Sequence, residues 1–277
     1  MTGLVLSLFP GLDVLGMGFE AEGFSVVAGP DVVWGRDVRE FHVPAGRFDG
    51  VIGGPPCQTF STLANLLRAK GLEPRFGDLI PEFVRVVEEA RPTWFLMENL
   101  RNVPEECWPR PDGYAFVSFL LNNCELDRGD GIGFDQSRVR RLWFGWRDHG
   151  DHLDLEGRIQ KAALLGGGKQ SVTGRHQSNG MGDASRPGAH AGNPPKYTLA
   201  EMLRLQGLPG DLLDEAPFTM QGKRKLVGNA VPLPMARELA RVVMEVTSNR
   251  PTTTEPAPDR AVSGPRSVAS CSQDREG

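Results

Sequence analysis

The sequence predicts an α/β fold, on three observations. Short apolar runs recur at 3–9 (GLVLSLF), 24–31 (FSVVAGPD), 48–54 (FDGVIGG) and 92–99 (PTWFLMEN), and helical stretches lie between them at 12–22 and 79–90. Three of the runs close on Gly, Asp or Glu: Asp31, Gly53-Gly54 and Glu98-Asn99. Buried strands alternating with helices describe a parallel sheet covered on both faces.

Each element has a local reason. Residues 3–9 read as a buried strand, Pro10-Gly11 as a tight turn and Leu12–Glu22 as an amphipathic helix. Two further apolar runs, 114–121 and 141–147 (RLWFGWR), extend the sheet; the Arg-rich link QSRVRR joins the glycine-dense stretch 129–133 to the second. Residues 1–147 are therefore read as one α/β domain. Residues 148–196 are Gly-rich with few large apolar side chains, a composition that cannot bury a core, and form a small lobe leaning on the main domain. Helical periodicity returns at TLAEMLRLQGL (198–208), opened by Thr198 with Glu201 three residues on, a capping box. A second helix, Pro234–Val246, follows the loop VGNAVPLP, and residues 197–246 complete the lobe and the main domain. From 247 to 277 the chain is rich in Thr, Ser and Pro without an aromatic residue, the composition of a disordered tail.

At 277 residues the chain has room for one large domain or one with a lobe. A net charge of −4 excludes a generally basic nucleic-acid coat and leaves local cationic patches: QSRVRR, Lys223-Arg224-Lys225 and the loop after Cys57. The four cysteines are scattered without a CxxC pair, so neither a zinc site nor a disulfide is expected, in keeping with a reducing cytoplasm. The run DHGDHLD (148–154) reads as solvated, with no metal. The N-terminus lacks a basic region and is broken by Pro10, Gly11 and Asp13, unlike a signal peptide or membrane span. A cytoplasmic monomer is expected.

In such sheets ligands sit at the carboxyl ends of strands, here Phe9–Gly11, Asp31, Gly53–Gln58 and Glu98–Asn99. Cys57 follows a buried strand and the rigid pair Pro55-Pro56, which holds its thiol in a defined place, as a nucleophile requires. Glu98 ends an apolar strand, where desolvation favours a carboxyl that keeps its proton. Gln136, Arg138 and Arg140 alternate, so on a strand they point one way, and forked guanidinium donors there can clamp a carbonyl oxygen and carboxylates. No GxGxxG follows the first strand, which speaks against a nicotinamide oxidoreductase.

Six segments in order over about 4–240 resemble the signature blocks of the DNA (cytosine-5) methyltransferase family: SLFPGLDVLGMGF, GGPPCQTFS, MENL, QSRVRR, YTLAEMLRLQGLP and KLVGNAVPLPMA. The resemblance implies a Rossmann-like S-adenosylmethionine-dependent methyltransferase sheet with a small target-recognition lobe, in a compact phage or bacterial enzyme acting on double-stranded DNA. It assigns catalysis to Cys57, Glu98, Arg140 and a supporting Arg138, acting on a cytosine flipped out of the duplex. It assigns cofactor contacts to Phe9, Gly11, Asp31 (ribose), Asp37 (adenine amine), Pro56 and Asn229 (methionine end). Substrate contacts fall to Pro56, Gln58, Ser61, Asn99 and Gln136, with Arg175, His176, Gln177 and Asn179 of the lobe facing base edges. Two departures stand out. Asp13-Val14 replace two glycines common in the family, and Val32 replaces a large side chain that packs on adenine, with Trp34 nearby as a substitute. The competing readings are an RNA (tRNA) cytosine-5 methyltransferase of the same fold and a catalytically silent DNA-binding protein.

Overall fold

The computed structural model describes residues 3–56, 77–126, 136, 138–147 and 197–248. Cys57, Gln58, Ser61, the lobe at 148–196 with Arg175, and residues 249–277 of the expected tail lie outside the described residues.

Six strands form one sheet: β1 (Leu4–Leu8), β2 (Ser25–Ala28), β3 (Gly50–Gly53), β4 (Trp94–Asn99), β5 (Ala115–Asn122) and β6 (Val139–Trp146), in the order β2-β1-β3-β4-β6-β5. The first four pair in parallel, as expected. The expectation of a parallel sheet is corrected at the other edge, where β6 runs antiparallel to both β4 and β5. Parallel neighbours need a crossover of a dozen or more residues, usually a helix, whereas an antiparallel pair such as β5 and β6 does not.

Alternation along the strands sends side chains to two faces. Val5, Ile52, Trp94, Leu96, Leu142, Phe144 and Trp146 share a core with helices α1 (Val14–Ala21) and α5 (Leu233–Ser248). On the other face Leu6, Val51, Phe95, Met97 and Trp143 pack on α2 (Ile80–Ala90). Helices α3 (Leu199–Leu205) and α4 (Met220–Asn229) build a third cluster around Val14, Met202, Leu203 and Val227. Because α1 and α5 cross so closely, a Cβ on Gly18 would collide with Ala236.

Local signals held at α3, where the Thr198 hydroxyl accepts from the Glu201 amide and Glu201 Oε2 accepts from the Thr198 amide at 2.7 Å. Three boundaries differ. Val227–Asn229, expected in a loop, finish α4, and α5 begins at Leu233. Thr247 and Ser248, assigned to the tail, continue α5. Cys107, buried at 6% exposure, is disulfide-bonded, correcting the expectation of no disulfide, whereas Cys124 forms none.

β1 has β2 on one side and β3 on the other, so the chain leaves it in opposite directions. At such a switch point the loops diverge and open a crevice beyond the strand ends. No described helix is long and apolar enough to cross a membrane.

Candidate active site and cofactor cleft

Glu98 continues the row Trp94, Leu96 on β4, and Arg140 the row Trp146, Phe144, Leu142 on β6. The antiparallel register pairs Glu98 with Leu142, so Arg140 is a diagonal neighbour on the same face, within reach of a long side chain. Arg140 Nε lies 2.6 Å from Glu98 Oε1, with the two side chains 14% and 10% exposed. Glu98 thus meets the Arg140 guanidinium, the kind of partner the alternating arginines were expected to offer a carboxylate. A charge pair at this depth is strengthened by the lowered dielectric.

The glycines of GGPP make room for it. A Cβ on Gly54 would lie 2.9 Å from Glu98 Oε2, and one on Gly53 would lie 2.8 Å from the Leu8 carbonyl. Asn99, 2% exposed, donates through Nδ2 to the Pro55 carbonyl at 3.2 Å and accepts the Leu100 amide at 2.8 Å. Its amide therefore braces the Pro55-Pro56 turn against the end of β4.

Gln136 and Arg138 are buried, at 2% and 4% exposure. Arg138 has the same parity as Arg140, as expected, but its Nη2 donates to the Gly228 carbonyl at the end of α4, 2.9 Å away. Through this bond Arg138 reaches the C-terminal helices. Two of the three cations of Lys223-Arg224-Lys225 also bond to the protein itself, Lys223 to the Asp214 carbonyl and Arg224 to the Tyr197 carbonyl.

Beside this cluster a cleft of about 340 Å³, mouth included, is lined by Phe9, Asp31, Val32, Asp37, Pro56 and Leu79 among others. Phe9 brings the β1–α1 loop to the cleft, and in that loop Phe9, Gly11 and Asp13 all adopt left-handed backbone angles (φ 56°, 54° and 56°). Asp is among the few side chains that tolerate this conformation, which explains how it stands at a position where glycine is common in the family. Asp13 Oδ1 accepts the Ser7 hydroxyl at 2.7 Å and the Gly16 amide at 3.2 Å, capping α1. Burial pushes the Asp13 carboxyl up, against the two hydrogen bonds.

Asp31 accepts the Gly11 amide at 2.9 Å and the Val33 amide at 2.8 Å, which fixes its carboxylate across the cleft from Phe9 while leaving further acceptor capacity. Asp37 accepts the Arg39 amide at 3.0 Å and pairs with the Arg39 guanidinium at 3.3 Å. Val32 itself lines the cleft, whereas Trp34, expected as its substitute, donates to the Gly11 carbonyl at 3.1 Å and meets Phe218 edge-on at 5.2 Å. Asn229 is the exposed last residue of α4, and the packing of Val14 with Val227 and Ala230 draws that helix end up to the β1–α1 loop. Two carboxylates among apolar walls suit a nucleoside, whose hydroxyls and amine are donors and whose base is flat and apolar. The residues present thus fit S-adenosylmethionine.

Two contributors escaped the sequence reading. Gly54 lies inside a motif whose Cys57 draws attention first. Gln206, fully buried, donates to the Val227 carbonyl at 2.9 Å and the Ala230 carbonyl at 3.4 Å. Its position four residues after Met202, on the apolar face of α3, was the available signal.

A family model described as C-5 cytosine-specific DNA methylase matches residues 35–106 of the chain. The chain is similar to the Type II methyltransferase M.FnuDI of Fusobacterium nucleatum, with 32% identity over 36% of this chain and 33% of that protein. It is also similar to the Type II methyltransferase M.NgoPII of Neisseria gonorrhoeae, with 30% identity over 52% of this chain and 48% of that protein. These alignments span a third to a half of the length of those relatives. Among solved structures, the S. pombe Dnmt2 methyltransferase superposes with a TM-score of 0.55 at 12% identity, covering 88% of this chain and 99% of that one, a likeness of fold.

Proposed function

We propose that the chain is a DNA (cytosine-5) methyltransferase that modifies a flipped cytosine in double-stranded DNA through a covalent bond from Cys57 to C6. The observation that carries this reading is the Glu98–Arg140 pair, 2.6 Å apart at the carboxyl edge of the sheet, beside a Pro55-Pro56 turn that leads directly to Cys57.

Cytosine C6 is a weak electrophile until its ring is polarised. Glu98 engages N3 and the exocyclic amine and supplies the N3 proton, while Arg140 orients Glu98 and faces O2. The Cys57 thiolate adds to C6, which makes C5 nucleophilic, and later leaves when the C5 proton is lost. S-adenosylmethionine, held by Phe9, Gly11, Asp31, Asp37, Pro56 and Asn229, supplies an electrophilic methyl group when bound. Gln58, Ser61, Gln136 and Arg175 complete the DNA contacts. The DNA reading is preferred to the RNA one because the matched family is described as DNA methylase and the similar curated proteins are Type II methyltransferases. The enzyme acts as a monomer in a bacterial or phage-infected cytoplasm, as the modification half of a restriction-modification pair or alone.

Expression in a methylation-deficient host followed by bisulfite sequencing tests the activity: protected cytosines at a recurrent site are expected, and none from soluble protein sinks it. With 5-fluorocytosine DNA, whose C5 cannot lose a proton, the wild type should form a covalent adduct. Cys57→Ala should not, and an adduct in that variant would remove Cys57 as the nucleophile.

A further inference from the structure

We propose that Arg138 is a positioning residue for the cofactor end of the site, holding Asn229 against the β1–α1 loop through the carbonyls that close α4. This inference rests on the cofactor role given to Asn229 above.

The last carbonyls of a helix lack partners within it, and the helix dipole makes that end partly negative. At the end of α4 they are met by two buried side chains from distant parts of the chain. Arg138 donates to Gly228 at 2.9 Å, while Gln206 donates to Val227 at 2.9 Å and to Ala230 at 3.4 Å. The Gln206 carbonyl in turn accepts the Leu233 amide at 2.9 Å, tying down the start of α5. Asn229 is the exposed residue inside this ring of bonds.

Arg138 is itself held from behind. Its amide donates to Asn122 Oδ1 at 2.8 Å, and its carbonyl accepts the Asn123 amide at 3.2 Å, so its backbone is fixed to the end of β5. Two residues along, Arg140 on the same face grips Glu98. The alternating arginines therefore divide the site between them: Arg140 sets the carboxylate that meets the base, and Arg138 sets the helix end that meets the cofactor. A displacement of one end of β6 is felt at both.

The test is equilibrium binding of S-adenosylhomocysteine by calorimetry, alongside steady-state kinetics on DNA and thermal melting. Arg138→Met should raise the dissociation constant about tenfold, the scale of losing one hydrogen bond from a charged donor. The loss should fall on this constant more than on kcat at saturating cofactor, and Arg138→Lys should recover part of it. Gln206→Leu should weaken binding through the same helix end, and the double variant should lose less than the product of the two single effects.

Arg138→Met that melts earlier but binds with unchanged affinity would overturn the proposal in favour of a purely structural role. A fall in kcat without weaker binding would overturn it by returning Arg138 to the base side. Should these variants fail to fold, hydrogen exchange on the wild type decides: the cofactor product should add protection at 226–233 and at 122–123, and no added protection there overturns the proposal. A wild type that binds no S-adenosylhomocysteine would instead sink the proposed function itself.

Discussion

The base side and the cofactor side of the site are built differently. Glu98 and Arg140 project from paired inner strands, nearly buried, and reach each other across a register that the sheet imposes. Phe9, Gly11, Asp31 and Asp37 stand on loops, several of them in turns closed by their own backbone amides, and Asn229 is exposed at a helix end. Rigid strands suit groups that must meet reacting atoms within fractions of an ångström. Loops suit a ligand that must enter and leave at every turnover. On this comparison, changes on the base side should cost rate, and changes on the cofactor side should cost affinity.

The largest effect is expected from Glu98→Gln, which keeps shape but removes the group that protonates N3. kcat should fall by about 10²–10⁴, the usual contribution of a general acid, with little change in S-adenosylhomocysteine affinity by calorimetry. A large loss of affinity would erase the division of labour. Next is Gly54→Ala, whose methyl group would push on Glu98 Oε2 from 2.9 Å. Moving a reacting group by about 1 Å costs on the order of 10²-fold in kcat, and single-turnover rates with melting curves separate this from unfolding. Asp31→Ala should instead weaken cofactor binding by about tenfold, for the loss of charge-assisted hydrogen bonds to hydroxyl donors, and should leave single-turnover chemistry at saturation less affected.

Smaller effects concern stability. Asp13→Ala removes the α1 cap and places Ala at φ 56°, together worth about 2 kcal/mol in denaturant melts, while Asp13→Asn should cost less because Asn both caps and tolerates that backbone. The pH dependence has a definite sign. Because the folded Asp13 carboxyl titrates above its ordinary 3.8, the folded chain retains a proton that the unfolded chain has released. Wild-type stability relative to Asp13→Asn should therefore fall as pH rises from about 3.8 through the raised value, and a gain over that window would contradict the burial argument. The smallest change is expected from Arg237→Ala, which breaks a half-exposed pair with Glu22 and should shift stability by less than about 1 kcal/mol.

Much of this architecture was legible in the sequence because it is written in local terms. Short apolar runs gave β1, β3 and β4, the Thr198–Glu201 spacing gave the start of α3, and parity along QSRVRR put Arg138 and Arg140 on one face. What escaped depends on partners far apart in the chain. An apolar run does not carry its direction in the sheet, so the antiparallel placement of β6 was not visible. The partner of Arg138 lies 90 residues away, and the partners of Gln206 lie on a different helix. Asp13 was read as a departure from glycine because its tolerance of a left-handed backbone and its bond to Ser7 appear only once the turn is built.

The close crossing of α1 and α5 has a consequence in time. The face of the sheet covered by α5 includes Val5, Trp94 and Phe144, yet the helix that covers them ends at residue 248. At translation speeds of about 5–20 residues per second, more than two hundred residues and roughly ten to forty seconds separate the emergence of α1 from that of its partner. During that interval the nascent chain carries an open apolar face. The molecule therefore completes this part of its core only when α5 leaves the ribosome, and the segment that carries Asn229 arrives just ahead of it.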